Sequence, residues 1–313
     1  MTEIVVDHLS KDFGPVRAVD DLTFAVPSGE VTGFLGPNGA GKTTTLRCLL
    51  GLIAPTSGKA LIAGARYSDL AEPARTVGAA LEASSFHPGR TARNHLRVLC
   101  AAAGLPDRRA EEVLDLTGLT SDADRRVGGY STGMRQRLAL SAALLGDPGY
   151  LVLDEPATGL DPAGISWLRE LLEYMAHDLG KTVLVSSHLL AEMEHTADRV
   201  VIITGGRLVK QGQLEDIINA AGAGVRVRTP SATRMSEVLR DAGLSGELRG
   251  EELFVPSTTA ERVGHLAYVN GIELSGLAER PADLEAVFLQ LTNSDHHQEP
   301  ASERPAAVTS GRP

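Results

Sequence analysis

Apolar runs long enough to span a bilayer are missing from this chain of 313 residues. A membrane-crossing helix needs roughly 18 consecutive apolar residues. The longest candidates here, 138–145 and 98–105, are short and interrupted by Ser141 and Gly104. The first residues, MTEIVVDHLSKDFG, carry neither the basic leader nor the apolar stretch of a secretory signal, so the expected compartment is the cytosol. Cysteine is scarce as well. Cys48 and Cys100 stand alone with no metal-ligand spacing, which reads as structural thiols in a reducing compartment. Basic charge is in deficit: 30 Lys and Arg against 40 Asp and Glu give a net charge of −10. That balance argues against a dominant nucleic-acid footprint, while leaving room for a local basic patch. Internal repeats at solenoid periods and sustained heptads are also absent.

What is present is an ordinary globular composition, 42% hydrophobic and 22% charged, able to bury a core. Residues 1–220 read as one α/β domain. Strands are expected at 4–6 and 22–26 around Gly14-Pro15, and at 31–35. Compact apolar runs at 151–153, 182–186 and 200–203 have the texture of a sheet buried on both faces. Helical stretches are expected at 43–52, 162–177 and 189–195. Residues of about 84–147 are rich in Ala, Leu and Arg and suggest an inserted helical lobe. After Gln213 the texture changes, and 221–292 reads as a small α+β domain. Its strands are expected at 225–229 and 252–255, and its helices at 234–242, 259–269 and 282–291. Residues 293–313 are polar and Pro-rich, with the composition of a disordered tail.

Three segments carry chemistry. Gly36-Pro37-Asn38-Gly39-Ala40-Gly41-Lys42-Thr43 fits G-x-x-x-x-G-K-[ST] without a mismatch, between a strand and a helix. Its glycines let backbone N–H groups approach phosphate oxygens, and the helix opening at Thr43 and Thr44 presents its N-terminus to the same anion. Lys42 is placed to reach the β- and γ-phosphates of ATP and Thr43 to ligate Mg²⁺. Next, 150–154 is an apolar strand ending in Asp154-Glu155. Asp154 suits a Mg²⁺ ligand, and Glu155 suits the group that polarises the attacking water. His188 leaves a further strand whose tip converges on the same crevice. It is a candidate contact to the γ-phosphate, with a capping or surface histidine as the alternative.

In that order, these segments resemble the ATP-binding cassette (ABC) family over roughly residues 3–215. The most diagnostic piece is Tyr130-Ser131-Thr132-Gly133-Met134-Arg135-Gln136-Arg137, similar to the signature LSGGQ and its trailing basic segment. Ser131 and Gly133 keep the pattern; Tyr130, Thr132 and Met134 depart from it. The resemblance implies a P-loop NTPase cassette with a mainly parallel sheet core, an antiparallel β lobe and a helical lobe. It also implies an ATP-hydrolysing homodimer in which the signature of one copy meets the ATP held by the other. By position, Phe13 corresponds to the aromatic that stacks on adenine, the alternative being a core residue. Asp161, in Gly159-Leu160-Asp161-Pro162, corresponds to the D-loop, and His188 to the switch histidine. Glu82 stands where the family places the Q-loop glutamine, a departure that leaves Mg²⁺ ligation and coupling through that loop open. The segments 187–194 and 283–292 are most similar to the drug-export (daunorubicin-resistance-type) subfamily. The function so implied is export powered through a separate polytopic membrane permease, with the chain peripheral on the inner face of the membrane and no nucleic-acid partner. The competing reading is a soluble ABC ATPase acting on nucleic acid or ribosomes.

Overall fold

The computed structural model describes residues 3–81, 86–221, 224–249, 252–256, 258–280, 284, 285, 287 and 288. The chain opens with β1 (Ile4–Phe13) and β2 (Val16–Val26), followed by β3 (Val31–Leu35), α1 (Lys42–Leu49), β4 (Ser57–Ile62), α2 (Pro73–Thr76) and β5 (Val77–Ala80). A helical lobe of α3 (Ala92–Ala102), α4 (Arg108–Leu116) and α5 (Thr132–Leu144) comes next. The chain then re-enters the sheet through β6 (Tyr150–Asp154), α6 (Pro162–Glu173), β7 (Thr182–Ser187), α7 (Leu190–Glu194), β8 (Arg199–Thr204), β9 (Arg207–Gln213) and α8 (Leu214–Ala221).

The central sheet runs β5-β6-β7-β3-β8-β9, parallel except for the antiparallel edge strand β9. β3, β6 and β7 are buried along their whole length. Successive residues on a strand point to opposite faces, so each strand feeds two cores. Leu35, Leu153, Val185 and Ile202 enter the core that continues into the helical lobe. Phe34, Val152, Leu184 and Val201 enter the core beneath the antiparallel sheet β2-β1-β4. Phe24 of β2 stacks on Phe34 with ring centroids 5.2 Å apart, joining the two sheets. The parallel strands therefore end together, and their C-terminal tips form one crevice.

Several boundaries differ from the sequence reading. β1 runs on to Phe13 through a bulge at His8, whose φ is +49°. The polar residues there belong to a lobe with one wet face, so no apolar run marks the strand. β4, β5 and β9 were not foreseen, since β4 and β9 are short of buried residues and β5 is four small residues. The helix from Pro162 stops being α-helical at Glu173 and widens into a π-helical turn, Tyr174–Asp178. The 282–291 helix lies largely outside the described residues, although Leu284, Glu285, Val287 and Phe288 are helical. The tail 293–313 lies outside them entirely.

Close backbone packing seats α5 on the sheet edge. A Cβ on Gly78 of β5 would fall 2.1 Å from the Ala143 carbonyl oxygen of α5, so only glycine fits. Gly78→Ala is expected to cost about 1–3 kcal/mol by overpacking. A thermal melt should then drop by about 3 °C per kcal/mol; an unchanged melting temperature would refute the fit.

Beyond the cassette, β10 (Gly224–Arg228), α9 (Ala232–Asp241), β11 (Glu247–Arg249), β12 (Glu252–Pro256), α10 (Ala260–Val269) and β13 (Gly276–Arg280) form a separate antiparallel sheet ordered β11-β12-β10-β13. This β-α-β-β-α-β order with interleaved strands is the split β-α-β arrangement. Val225, Val227, Leu253 and Val255 face Met235, Leu239, Val263 and Ala267 of the two helices in a core of their own. The chain then returns to the cassette. Leu284 and Val287 are buried in the core shared with the helical lobe, and the Leu284 N–H donates to Glu194 Oε2 of α7 at 3.0 Å.

Candidate functional site

The loop after β3 is shaped by what its glycines exclude. Gly41 sits at φ +99°, and a Cβ there would come within 2.4 Å of the Ala18 carbonyl oxygen of β2. A Cβ on Gly36 would come within 2.6 Å of the Ile203 carbonyl oxygen. The Ala40 N–H bonds back to the Pro37 carbonyl at 3.1 Å, closing the turn around Asn38 and Gly39. Lys42 opens α1 but folds back: its Nζ donates to the Gly36 carbonyl at 2.6 Å and the Pro37 carbonyl at 3.4 Å, with the residue only 6% exposed. The ammonium is thus held inside a cradle of backbone, where a polyphosphate would replace carbonyl partners with charged ones. Thr44 follows at the mouth of the same helix.

The tips of β6 and β7 complete this half. Thr43 Oγ1 donates to Asp154 Oδ2 at 2.7 Å, and Ser186 Oγ donates to Asp154 Oδ1. Glu155 stands at φ +51°, a left-handed conformation that turns its side chain back over the loop. Its backbone N–H is held by the Ser186 carbonyl at 3.2 Å and Ser186 Oγ at 3.0 Å. Glu155 Oε1 lies 3.4 Å from Lys42 Nζ, and Oε2 is hydrogen-bonded to His188 Nδ1 at 2.6 Å. A carboxylate between an ammonium and an imidazole, over a glycine-rich anion cradle, can orient and deprotonate a water. Glu192, four residues beyond His188, feels the same site. Burial raises its carboxyl pKa, with His188 opposing and Glu155 adding to the shift.

Lys42, Thr43, Asp154, Glu155 and His188 therefore meet in one cluster. Ser186 was passed over in the sequence reading, and its signal is a small hydroxyl where the apolar run 183–185 of a central strand ends. Phe13 is 50% exposed at the tip of the β1–β2 hairpin, whose β2 stem packs on Gly41. Lys11 Nζ lies 5.0 Å from its ring centroid. Phe13 is thus not the core residue weighed as its alternative.

Ser131, Gly133 and Asp161 stand at the N-terminal ends of α5 and α6. Ser131 caps α5, its Oγ accepting from the Met134 N–H at 3.2 Å, and Asp161 caps α6, its Oδ1 accepting from the Gly164 N–H at 2.9 Å. Tyr130 OH donates to the Asp122 carbonyl at 2.7 Å and fixes the turn from behind. Among the described residues, no hydrogen bond or ion pair links these groups to the Lys42–Glu155 cluster. Glu82 lies outside the described residues.

Residues 19–158 match the family described as ABC transporter, and residues 223–285 match one described as Domain of unknown function (DUF8746). The chain is 34% identical over 304 residues to "Nod factor export ATP-binding protein I" of Rhizobium sp. (strain N33), covering 94% of this chain and 99% of that one. It belongs to the ATP-binding subunits of ABC transporters. A second relative of this ABC ATPase, "Bacitracin transport ATP-binding protein BcrA" of Bacillus licheniformis, is 42% identical over 212 residues, 67% of this chain and 69% of its own. A solved structure, "Structure of ATP binding subunit of ABC transporter", superposes at a TM-score of 0.63 with 31% identity, covering 69% of this chain and 92% of that one. Membership makes the chain an ATP-binding, ATP-hydrolysing enzyme with the cassette fold.

Proposed function

We propose that this ABC ATPase powers an exporter as a head-to-tail homodimer, docked on a polytopic membrane permease at the cytoplasmic face. One observation carries the dimer: the chain holds both a catalytic half, Lys42–Glu155–His188, and a signature half, Ser131–Gly133, and among the described residues no hydrogen bond or ion pair joins the two within it. Ser131 lies exposed at the N-terminus of α5, a helix of 13 residues. Its cap and the positive end of the helix dipole suit a phosphate supplied by a second copy. Each ATP is then enclosed by Gly36–Thr44 of one subunit and by Ser131 and Gly133 of the other, with Phe13 against the adenine. Export is supported by the Nod factor export relative, and transport by the bacitracin transport relative.

The donors at the loop suit Mg²⁺. Thr43 Oγ1 and Asp154 Oδ2 already converge at 2.7 Å and form the hard oxygen set such a cation selects. Among the described residues no group of three or more His, Cys, Asp and Glu that could hold a metal ion is found, here or elsewhere, so the cation would rest on hydroxyl, carboxylate and phosphate oxygens. A Mg²⁺ held by Thr43 and Asp154 would supply positive charge against that which develops on the phosphates in phosphoryl transfer. Ser186 orients Asp154 through Oδ1, leaving Oδ2 toward the cation. Lys42 leaves its carbonyl partners for the phosphates. Glu155 takes the proton of the attacking water, and His188 holds Glu155 in that pose. Asp161 keeps the D-loop tight where it approaches the partner copy. Glu82 is assigned to the same cation and to coupling with the permease, from its Q-loop position alone.

No described helix is long and apolar enough to cross a membrane, so this reading requires a separate pathway subunit. A cavity of about 830 Å³ opens on the helical lobe, lined by His87, Arg90, Arg97 and Arg126, with Asp107 the single acidic residue among its described lining. It offers a cationic seat for a permease segment. Purification from native membranes in mild detergent should recover a stoichiometric companion with several membrane spans. Recovery with ribosomes or nucleic acid alone would overturn the transport reading and favour the soluble ATPase.

A further inference from the structure

The signature turn and the loop after Glu155 interlock within one chain. Gly159 lies at φ +80°, and a Cβ there would fall 2.5 Å from Thr132 Cγ2. A Cβ on Gly133 would in turn meet Leu160 Cδ2 at 3.4 Å. Further along the same helices, the Arg137 guanidinium stacks over Trp167, 3.9 Å from the ring centroid, and donates to the Thr117 carbonyl at 2.9 Å. Trp167 belongs to α6 and Arg137 to α5, so the contacts run from the N-termini of both helices down their length. The path from Gly159 back to the backbone of Glu155 is short and held by backbone hydrogen bonds. The Thr158 N–H donates to the Glu155 carbonyl at 3.1 Å, and the Leu160 N–H to the Ala157 carbonyl at 3.1 Å.

Thr132 stands where the family signature has glycine, and a glycine there would have no Cγ2 to set against Gly159. Both residues are exposed, yet the close approach leaves no room for a side chain on Gly159, so a shift of either turn toward the other meets resistance at once. Resting on the head-to-tail reading, we propose that Thr132 is a positioning residue that couples the two ATP sites of the dimer. Its methyl group on Gly159 joins the Ser131 turn and the 156–161 loop into one body. The pose of Glu155 at a subunit's own ATP then sets where that subunit's Ser131 lies over its partner's ATP. This is a coupling between sites in the thermodynamic sense, and it is reciprocal.

The methyl and the hydroxyl of Thr132 can be removed separately. Thr132→Ser keeps the hydroxyl and loses Cγ2, whereas Thr132→Val keeps the methyl and loses the hydroxyl. Steady-state ATP hydrolysis across ATP concentration is expected to show about a fourfold lower kcat for Thr132→Ser, the rate equivalent of one methyl contact, with KM within about twofold. Its Hill coefficient should fall toward about 1 as the sites stop communicating. Thr132→Val should recover both values relative to Thr132→Ser. The reverse ranking, with Val impaired and Ser normal, would mean that the hydroxyl contacts nucleotide, and it would overturn the proposal. Equal behaviour of the two variants would overturn it too. ATP-dependent dimerisation of Glu155→Gln, followed by sedimentation, separates the two levels. If no dimer forms, the head-to-tail reading fails and takes this proposal with it. If a dimer forms and Thr132→Ser still has wild-type kinetics, this proposal fails alone.

Discussion

Glu155→Gln should bind ATP about as well as the wild type while its turnover falls by about 100- to 10,000-fold, the range for removing a general base. The substitution preserves shape. An amide oxygen can still lie near Lys42 Nζ, 3.4 Å from Oε1, but the amide NH₂ cannot accept the hydrogen bond that Oε2 shares with His188 Nδ1 at 2.6 Å. More directly, a neutral amide cannot take a proton from water. Removing a negative charge beside the phosphates should also let ATP remain longer, so the closed dimer should accumulate. Phosphate release and nucleotide binding, measured on the same preparation, separate these effects. Turnover within tenfold of wild type would remove Glu155 from the role given to it.

Lys42→Met should weaken ATP binding by about 30-fold to several thousand-fold. Truncating one member of a buried, hydrogen-bonded charge pair costs about 2–5 kcal/mol. The Lys42 ammonium is that member: it is buried, held by the Gly36 carbonyl at 2.6 Å, and poised to turn to phosphate oxygens. Methionine fills the same volume without charge, so the loop should keep its shape. The melting temperature of the variant checks this. A titration with fluorescent ATP showing less than a fivefold loss would mean that backbone N–H groups alone hold the phosphates.

The two halves of the site were legible in the sequence for a local reason. A phosphate loop needs glycines at fixed spacing because Gly36 and Gly41 have carbonyl oxygens where a side chain would go, and that need leaves its mark on adjacent residues. Strand tips such as Asp154-Glu155 announce themselves by an apolar run meeting charge. What stayed hidden is non-local. Ser186 is ordinary in sequence and becomes a support only when β7 pairs beside β6 and brings its hydroxyl to Asp154. The strand order, with β3 between β7 and β8, is set by crossover connections rather than by neighbours in the chain. β4 and β9 have a wet face and little alternation, so periodicity is weak there. The contact of Thr132 with Gly159 joins positions far apart in the chain, and nothing in either segment foretells it.

The return of the chain to α7 changes what kind of object the second fold is. Leu284 and Val287 belong to the cassette core, and the Leu284 N–H closes on Glu194. Topologically, the split β-α-β unit is a parenthesis opened after α8 and closed again on the cassette, rather than an appendix. Cutting the gene after residue 221 would therefore not yield a tidy minimal ATPase. It would strip plugs from the hydrophobic interior beside α7, the helix that follows His188. A minimal version should instead bridge α8 to residue 284 with a short linker and keep the closing segment.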